Sequence, residues 1–189
     1  GVSKRQASDG VISFWYGGNM TLVNSIVWGN TPNEIVFTNW SGIGTINIDY
    51  SDIQGGAEGI ISQDDDTITW GVGNINADPQ FVDVIGYNYN LLASSPCINS
   101  GNPDDIDTGS TLWDIRADMG TYPYLIGHEY QSWYVDETLG NDITGDGTTG
   151  NKFATIQAAL NFTGDNGTIH LSPGIYNENI IWPDKNGVQ

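Results

Sequence analysis

Five oxygen-bearing side chains crowd one glycine-rich stretch of this sequence. They are Asp136 and, within the run Gly140-Asn-Asp-Ile-Thr-Gly-Asp-Gly-Thr-Thr-Gly-Asn151, Asn141, Asp142, Asp146 and Asn151. Carboxylate and amide oxygens are hard donors, and Ca2+ gathers about six to eight of them, with backbone carbonyls completing the shell. The spacing differs from an EF-hand, which places ligands at alternate positions and closes with Glu. The expectation is a Ca2+ site with Asp136, Asn141, Asp142 and Asp146 as ligands, and the competing reading is an ordinary acidic surface loop. A second acidic run, Asp104-Asp-Ile-Asp107, has the same donor chemistry, while Asp64-Asp-Asp66 reads as a solvated loop tip.

Charge narrows the remaining chemistry. The 189 residues carry 23 acidic against five basic side chains, a formal charge of −18. Nucleic acid and anionic lipid are bound through clustered Lys and Arg, so neither nucleic-acid binding nor direct membrane insertion is expected. Polyuronates would be repelled unless calcium bridged the charges. A β-elimination lyase needs a base for the proton and a cation for the substrate carboxylate, yet residues 10–82 contain no Lys, Arg or His. A glycoside hydrolase needs carboxylates grouped at a suitable separation, and Asp49 and Asp52 lie across a turn, where their side chains should diverge. His128 and His170 have no evident partner in the sequence. Cys97, the single cysteine, sits between Pro96 and Ile98 and reads as a small buried hydrophobe. Trp15, Tyr16, Trp28, Trp40, Tyr50 and Trp70 offer rings for packing or for stacking on sugars, which leaves a glycan open as a partner. The sequons at Asn19, Asn39, Asn161 and Asn166 would matter only in a eukaryotic secretory route.

The elements that would position these groups are mostly strands. Met20-Thr-Leu-Val-Asn-Ser-Ile-Val-Trp28, Glu34-Ile-Val-Phe-Thr38 and Gly44-Thr-Ile-Asn-Ile-Asp-Tyr50 are rich in β-branched and aromatic residues, and each runs into Gly, Asn or Pro turn chemistry. The segments starting at Val23 and Ile46 recur about two dozen residues apart, the length of one turn of a three-sided parallel coil. Asp78-Pro79 fixes a turn ahead of Phe81-Val82, whose side chains are placed to plug an open core. Arg116, almost alone among acidic neighbours, suits a salt bridge or corner hydrogen bonds. Tyr122-Pro-Tyr124 would form an aromatic lid. Further on, Trp133-Tyr-Val-Asp136 suits an opening strand. One helix is expected over residues 153–162, with Phe153, Ile156, Ala159 and Leu160 on one face. Thr168-Ile-His-Leu-Ser172 follows as a buried strand, then the corner Pro173-Gly-Ile-Tyr176 and a next face from Glu178 to Trp182.

A resemblance rests on these motifs in their order. Asn24-Ser-Ile-Val-Trp-Gly-Asn30, Tyr50-Ser-Asp-Ile-Gln-Gly-Gly56, Gly73-Asn-Ile-Asn-Ala-Asp-Pro-Gln-Phe-Val-Asp83, Asn90-Leu-Leu-Ala-Ser-Ser-Pro-Cys-Ile-Asn-Ser-Gly-Asn-Pro103 and Arg116-Ala-Asp-Met-Gly-Thr-Tyr122 resemble the C-terminal part of secreted right-handed parallel β-helix repeat proteins of the pectate-lyase-like superfamily. Residues 134–182 resemble the N-terminal cap and first coil of the same superfamily. The resemblance implies an all-β, right-handed parallel β-helix (solenoid) with one short capping α-helix near residues 153–162.

An ending followed by a beginning implies a particular organisation. Residues 1–125 would be the C-terminal part of one β-helix, 126–133 a connector, and 134–189 the cap and first rung of a second. The implied function is a non-catalytic structural or adhesive segment of a large secreted or cell-surface protein, extracellular and bacterial, with its targeting signal elsewhere. Its partners would be flanking domains of the same chain, neighbouring copies, or a glycan. The alternative is part of a polysaccharide-active enzyme, a lyase or glycoside hydrolase, whose active site lies mostly outside this segment.

Overall fold

The computed structural model describes residues 10–38, 42–62, 65–105, 116–121, 132–163 and 166–182. Trp40, Asn39, Asp64, Asp107, His128, the Tyr122-Pro-Tyr124 lid and connector residues 126–131 lie outside the described residues. What is described is all-β apart from one short α-helix and one 3-10 turn, and it divides into two compact units, Gly1–Asp78 and Pro79–Gln189.

The first unit is built from small parallel sheets. Strand β1 (Gly10–Phe14) pairs with β4 (Asn33–Phe37), and β3 (Ile26–Val27) pairs with β6 (Asp52–Ile53). Strands β2 (Gly18–Val23), β5 (Gly44–Asp49) and β7 (Thr67–Trp70) form a three-stranded sheet with β5 in the centre. Isolated bridges add Ile61 beside Val36 and Ile75 beside Asp52. Like therefore lies beside like: Ile12 on Ile35, Phe14 on Phe37, Met20 on Ile46 on Ile68, and Leu22 on Ile48 on Trp70. Strand β5 shows why the sequence alternates. Its Gly44, Ile46 and Ile48 are buried while Thr45, Asn47 and Asp49 face outward, as period-two side-chain direction requires. The inward residues join Val27, Ile35, Phe37, Ile53 and Ile60 in one core, and the Phe14 and Phe37 rings stack with centroids 4.4 Å apart.

Corners close this unit through side chains that accept from the main chain of the preceding strand set. Ser25 N donates to Ser51 Oγ (3.2 Å) and Ser51 N to Asn74 Oδ1 (3.0 Å). At the next corner Gly29 N donates to Gln54 Oε1 (2.8 Å) and Gly55 N to Asn76 Oδ1 (3.0 Å). These bonds satisfy backbone groups that the short strands leave unpaired. They place the recurrence at Asn24 and Tyr50, both left-handed with φ 52° and 46°. Val23 accordingly faces Asp49, three residues beyond the alignment with Ile46 suggested by the sequence. Gly73 (φ +70°) sits where a Cβ would meet the Tyr50 ring at 2.1 Å, so that corner admits no side chain.

In the second unit, β8 (Phe81–Asp83) and β9 (Asn88–Leu91) form an antiparallel hairpin. Phe81 and Val82 are half-buried strand residues there, not the core plugs anticipated from the sequence. Strand β10 (Ser132–Val135) runs parallel to β11 (Thr168–Leu171), and α1 (Ile156–Phe162) packs beside them. The helix begins three residues later than its apolar pattern implies, because Phe153 bridges to Val135 and Thr155 takes the extended N-cap position. Phe153 still reaches the same core, which holds Ala93, Trp133, Val135, Ala158 and Ala159. The Phe153 ring stacks on Trp133 at 6.0 Å and on Phe162 at 5.5 Å. Strand β11 departs from expectation: His170 and Leu171 are exposed, so the strand is an open edge.

Candidate functional site

The predicted ligands all fall on the loop between β10 and α1, and the structure gives each a main-chain task. Asp136 Oδ1 accepts from Thr138 N (3.2 Å) and Leu139 N (3.0 Å). Asn141 Oδ1 accepts from Ile143 N (2.8 Å) and Thr144 N (3.0 Å), and Asp146 Oδ1 from Thr148 N (3.0 Å). These are Asx turns, in which a short side chain replaces a backbone acceptor two or three residues on. Asn151 works in the opposite sense, donating from Nδ2 to Thr144 O (2.8 Å). Gly147 (φ +73°) lets the loop close over the core, since a Cβ there would meet Trp133 Cε3 at 2.5 Å.

Asp142 has a different role. Its Oδ1 accepts from Ala154 N (2.7 Å) and Thr155 N (3.3 Å), and its Oδ2 from the Thr155 hydroxyl (2.7 Å). Thr155 Oγ1 in turn accepts from Ala158 N (3.2 Å). Glu178 completes the helix start from the far side, with Oε1 on Ile156 N (2.9 Å) and Oε2 on Gln157 N (3.0 Å). Five successive amides from Ala154 to Ala158 thus have acceptors, two of them carboxylates at the positive end of the helix. Glu178 is a residue that sequence reasoning passed over. Thr155 was passed over as well, set inside a helix expected from residue 153, although Thr just ahead of an apolar helical run is the signal for an N-cap.

Lys152 is the loop's cation. Its ammonium donates to Asp136 Oδ2 (3.2 Å) and to Ser172 Oγ (3.1 Å), tying the loop to β10 and to the residue after β11. The Leu139 amide and then the Lys152 ammonium hold the Asp136 carboxyl at a pKa of about 2, well below its ordinary value. A lone lysine among so many acids was the sequence signal for this pair.

Among the described residues, no three His, Cys, Asp or Glu side chains gather as a group able to hold a metal ion. Asp104 and Asp105 lie on a turn whose amides bond to Asn102, and Asp66 accepts from Gly44 N (2.9 Å), so it is more than a loop tip. Asp49 and Asp52 diverge as expected: Asp49 Oδ1 takes Val72 N (3.0 Å), while the buried Asp52 takes Ala77 N (3.2 Å). His170 is exposed and stacks on Tyr134, with ring centroids 4.7 Å apart. Cys97 is fully buried, and Arg116 donates from Nε to Gly101 O in the corner-type contact anticipated for it. Trp70 packs on the first core, whereas Trp15 and Tyr16 remain exposed.

No protein-family model matches the chain, and no curated protein or solved structure matches it either.

Proposed function

We propose that this chain is a non-catalytic structural or adhesive segment of a large secreted or cell-surface protein built from right-handed parallel β-helices. The observation that carries the reading is the register of the first unit. Three sets of short parallel pairings advance together, and their corner bonds join residues 21 to 26 positions apart. This register supports a reading as successive coils, each of which would be stabilised chiefly by its neighbours. In the second unit, α1 over the parallel pair β10–β11 suits an N-terminal cap and opening coil. Leu171, Ile175, Ile180, Ile181 and Trp182 are exposed on its last segments, where a following coil would cover them.

The architectural role is favoured over catalysis by what the polar groups do. The loop carboxylates engage main-chain amides and one lysine, and residues 10–82 contain no Lys, Arg or His. On this reading Ca2+ would reinforce a loop that its own side chains already shape. The test is the intact mass of the native polypeptide, together with a turnover screen on acidic and neutral polysaccharides with calcium present. A chain much longer than this segment and no turnover are expected. A native mass of 20.5 kDa, or any polysaccharide cleavage, would contradict the reading.

A further inference from the structure

The segment that closes the first set of motifs is also a structural part of the cap. Ala93 is fully buried within the core formed by Trp133, Val135, Phe153 and the α1 alanines. Its amide donates to Asp142 O (2.9 Å), and its carbonyl accepts from Asn161 Nδ2 (2.8 Å). The same Nδ2 donates to Ser95 O (2.8 Å), so both amide hydrogens of Asn161 are engaged. Asn99 Nδ2 returns a bond to Asn161 O (2.9 Å). Asn161 is held in this orientation by Gln157, whose Nε2 donates to Asn161 Oδ1 (2.9 Å).

The segment arrives already shaped. Ser95 Oγ donates to Pro79 O (2.6 Å) and accepts from Cys97 N (3.2 Å), and Ser95 N bonds Leu92 O (2.9 Å). Preorganisation lowers the ordering cost of docking such a segment.

We infer that residues 92–99 are a plug for the cap, received by a dedicated site on α1 and its preceding loop, and that Asn161 is the key of this joint. The occupant is this chain's own closing segment: a main chain read through two carbonyls and one amide, with a residue no larger than Ala at the buried position. The joint is independent of the chain that connects its halves. This inference stands on the hydrogen bonds alone and holds whether or not the flanking elements belong to β-helices. It also sets the sequon at Asn161 apart from those at Asn19 and Asn166, which are exposed, because a sugar on its Nδ2 would displace a joint hydrogen bond.

The experiment uses the full chain with a protease recognition sequence inserted between residues 127 and 128 and cleaved to completion. The cut wild-type chain is expected to co-elute as one species on size exclusion. Asn161→Asp keeps the acceptor for Gln157 but turns an oxygen toward the carbonyls of Ala93 and Ser95. In the uncut chain it is expected to speed exchange of the Ala93 amide at least about tenfold while the β10–β11 amides stay protected. Asn99→Ala, which removes one bond from the plug side, is expected to speed the same amide severalfold. Separation of the cut wild-type halves would overturn the inference. So would Ala93 exchange within about twofold of wild type in both variants.

Discussion

Asp142 is the residue at which a structural loop and a calcium site make opposite forecasts. Its carboxylate receives two backbone amides and one hydroxyl at the start of α1, in a half-buried setting. Replacing it with Ala removes an acceptor from Ala154, Thr155 and the Thr155 hydroxyl together. Loss of an N-terminal capping side chain costs about 1 kcal/mol, and a hydrogen bond to a charged group contributes about 1.5–3 kcal/mol. Water can reach part of this site, so the expected destabilisation of Asp142→Ala is about 2–3 kcal/mol. Asp142→Asn keeps the Oδ1 acceptor, and the Thr155 hydroxyl can rotate to meet the new amide, so about 1 kcal/mol or less is expected. The assay is denaturant unfolding followed by Trp fluorescence, in chelator and again in millimolar Ca2+. Both costs should appear in full in chelator, because the acceptors serve the chain itself. Asp142→Ala within about 0.5 kcal/mol of wild type in chelator, with a deficit appearing only on adding Ca2+, would refute the structural assignment.

Other perturbations follow from the same geometry. Asp136 has a folded pKa of about 2, below its unfolded value near 4, so its contribution is complete above pH 4 and fades as pH falls toward 2. The stability gap between wild type and Asp136→Asn should therefore narrow across that interval in acid titrations, and a gap constant with pH would contradict it. Ile48→Ala, at the centre of the three-stranded sheet between Leu22 and Trp70, is expected to cost about 3–4 kcal/mol in urea unfolding. Ser51→Ala should cost about 1–2 kcal/mol by leaving the Ser25 amide without its acceptor, whereas Ser25→Ala, losing only an exposed bond to Val23 O, should cost about 0.5 kcal/mol or less. Equal effects at the two serines would argue against the corner ladder.

The strands were legible because their signals are local. β-Branched runs ending in Gly or Asn marked β4 and β5 to within a residue, the run Met20–Trp28 merged β2 with β3 across the left-handed corner at Asn24, and the apolar face of residues 153–162 marked the helix. Register was less legible. Tyr50 occupies a left-handed corner that its residue type does not advertise, and the alignment slipped by three positions. The loop was legible as a place, and its donors by type, but the partners of those donors were not. Composition shows oxygen donors at Asp136, Asn141, Asp142 and Asp146, but whether those oxygens face a cavity or their own main chain depends on φ and ψ. The partners that decide it are distant. Glu178 lies 22 positions beyond Ile156, and Asn161 is 68 from Ala93, separations that no local pattern encodes.

The most direct test of the architectural reading is electron cryomicroscopy of the native polypeptide. A slender rod is expected, rising about 4.8 Å for each coil of roughly two dozen residues, with the parallel pairings of β2, β5 and β7 along one face. A compact particle in which those strands do not stack along a common axis would contradict it.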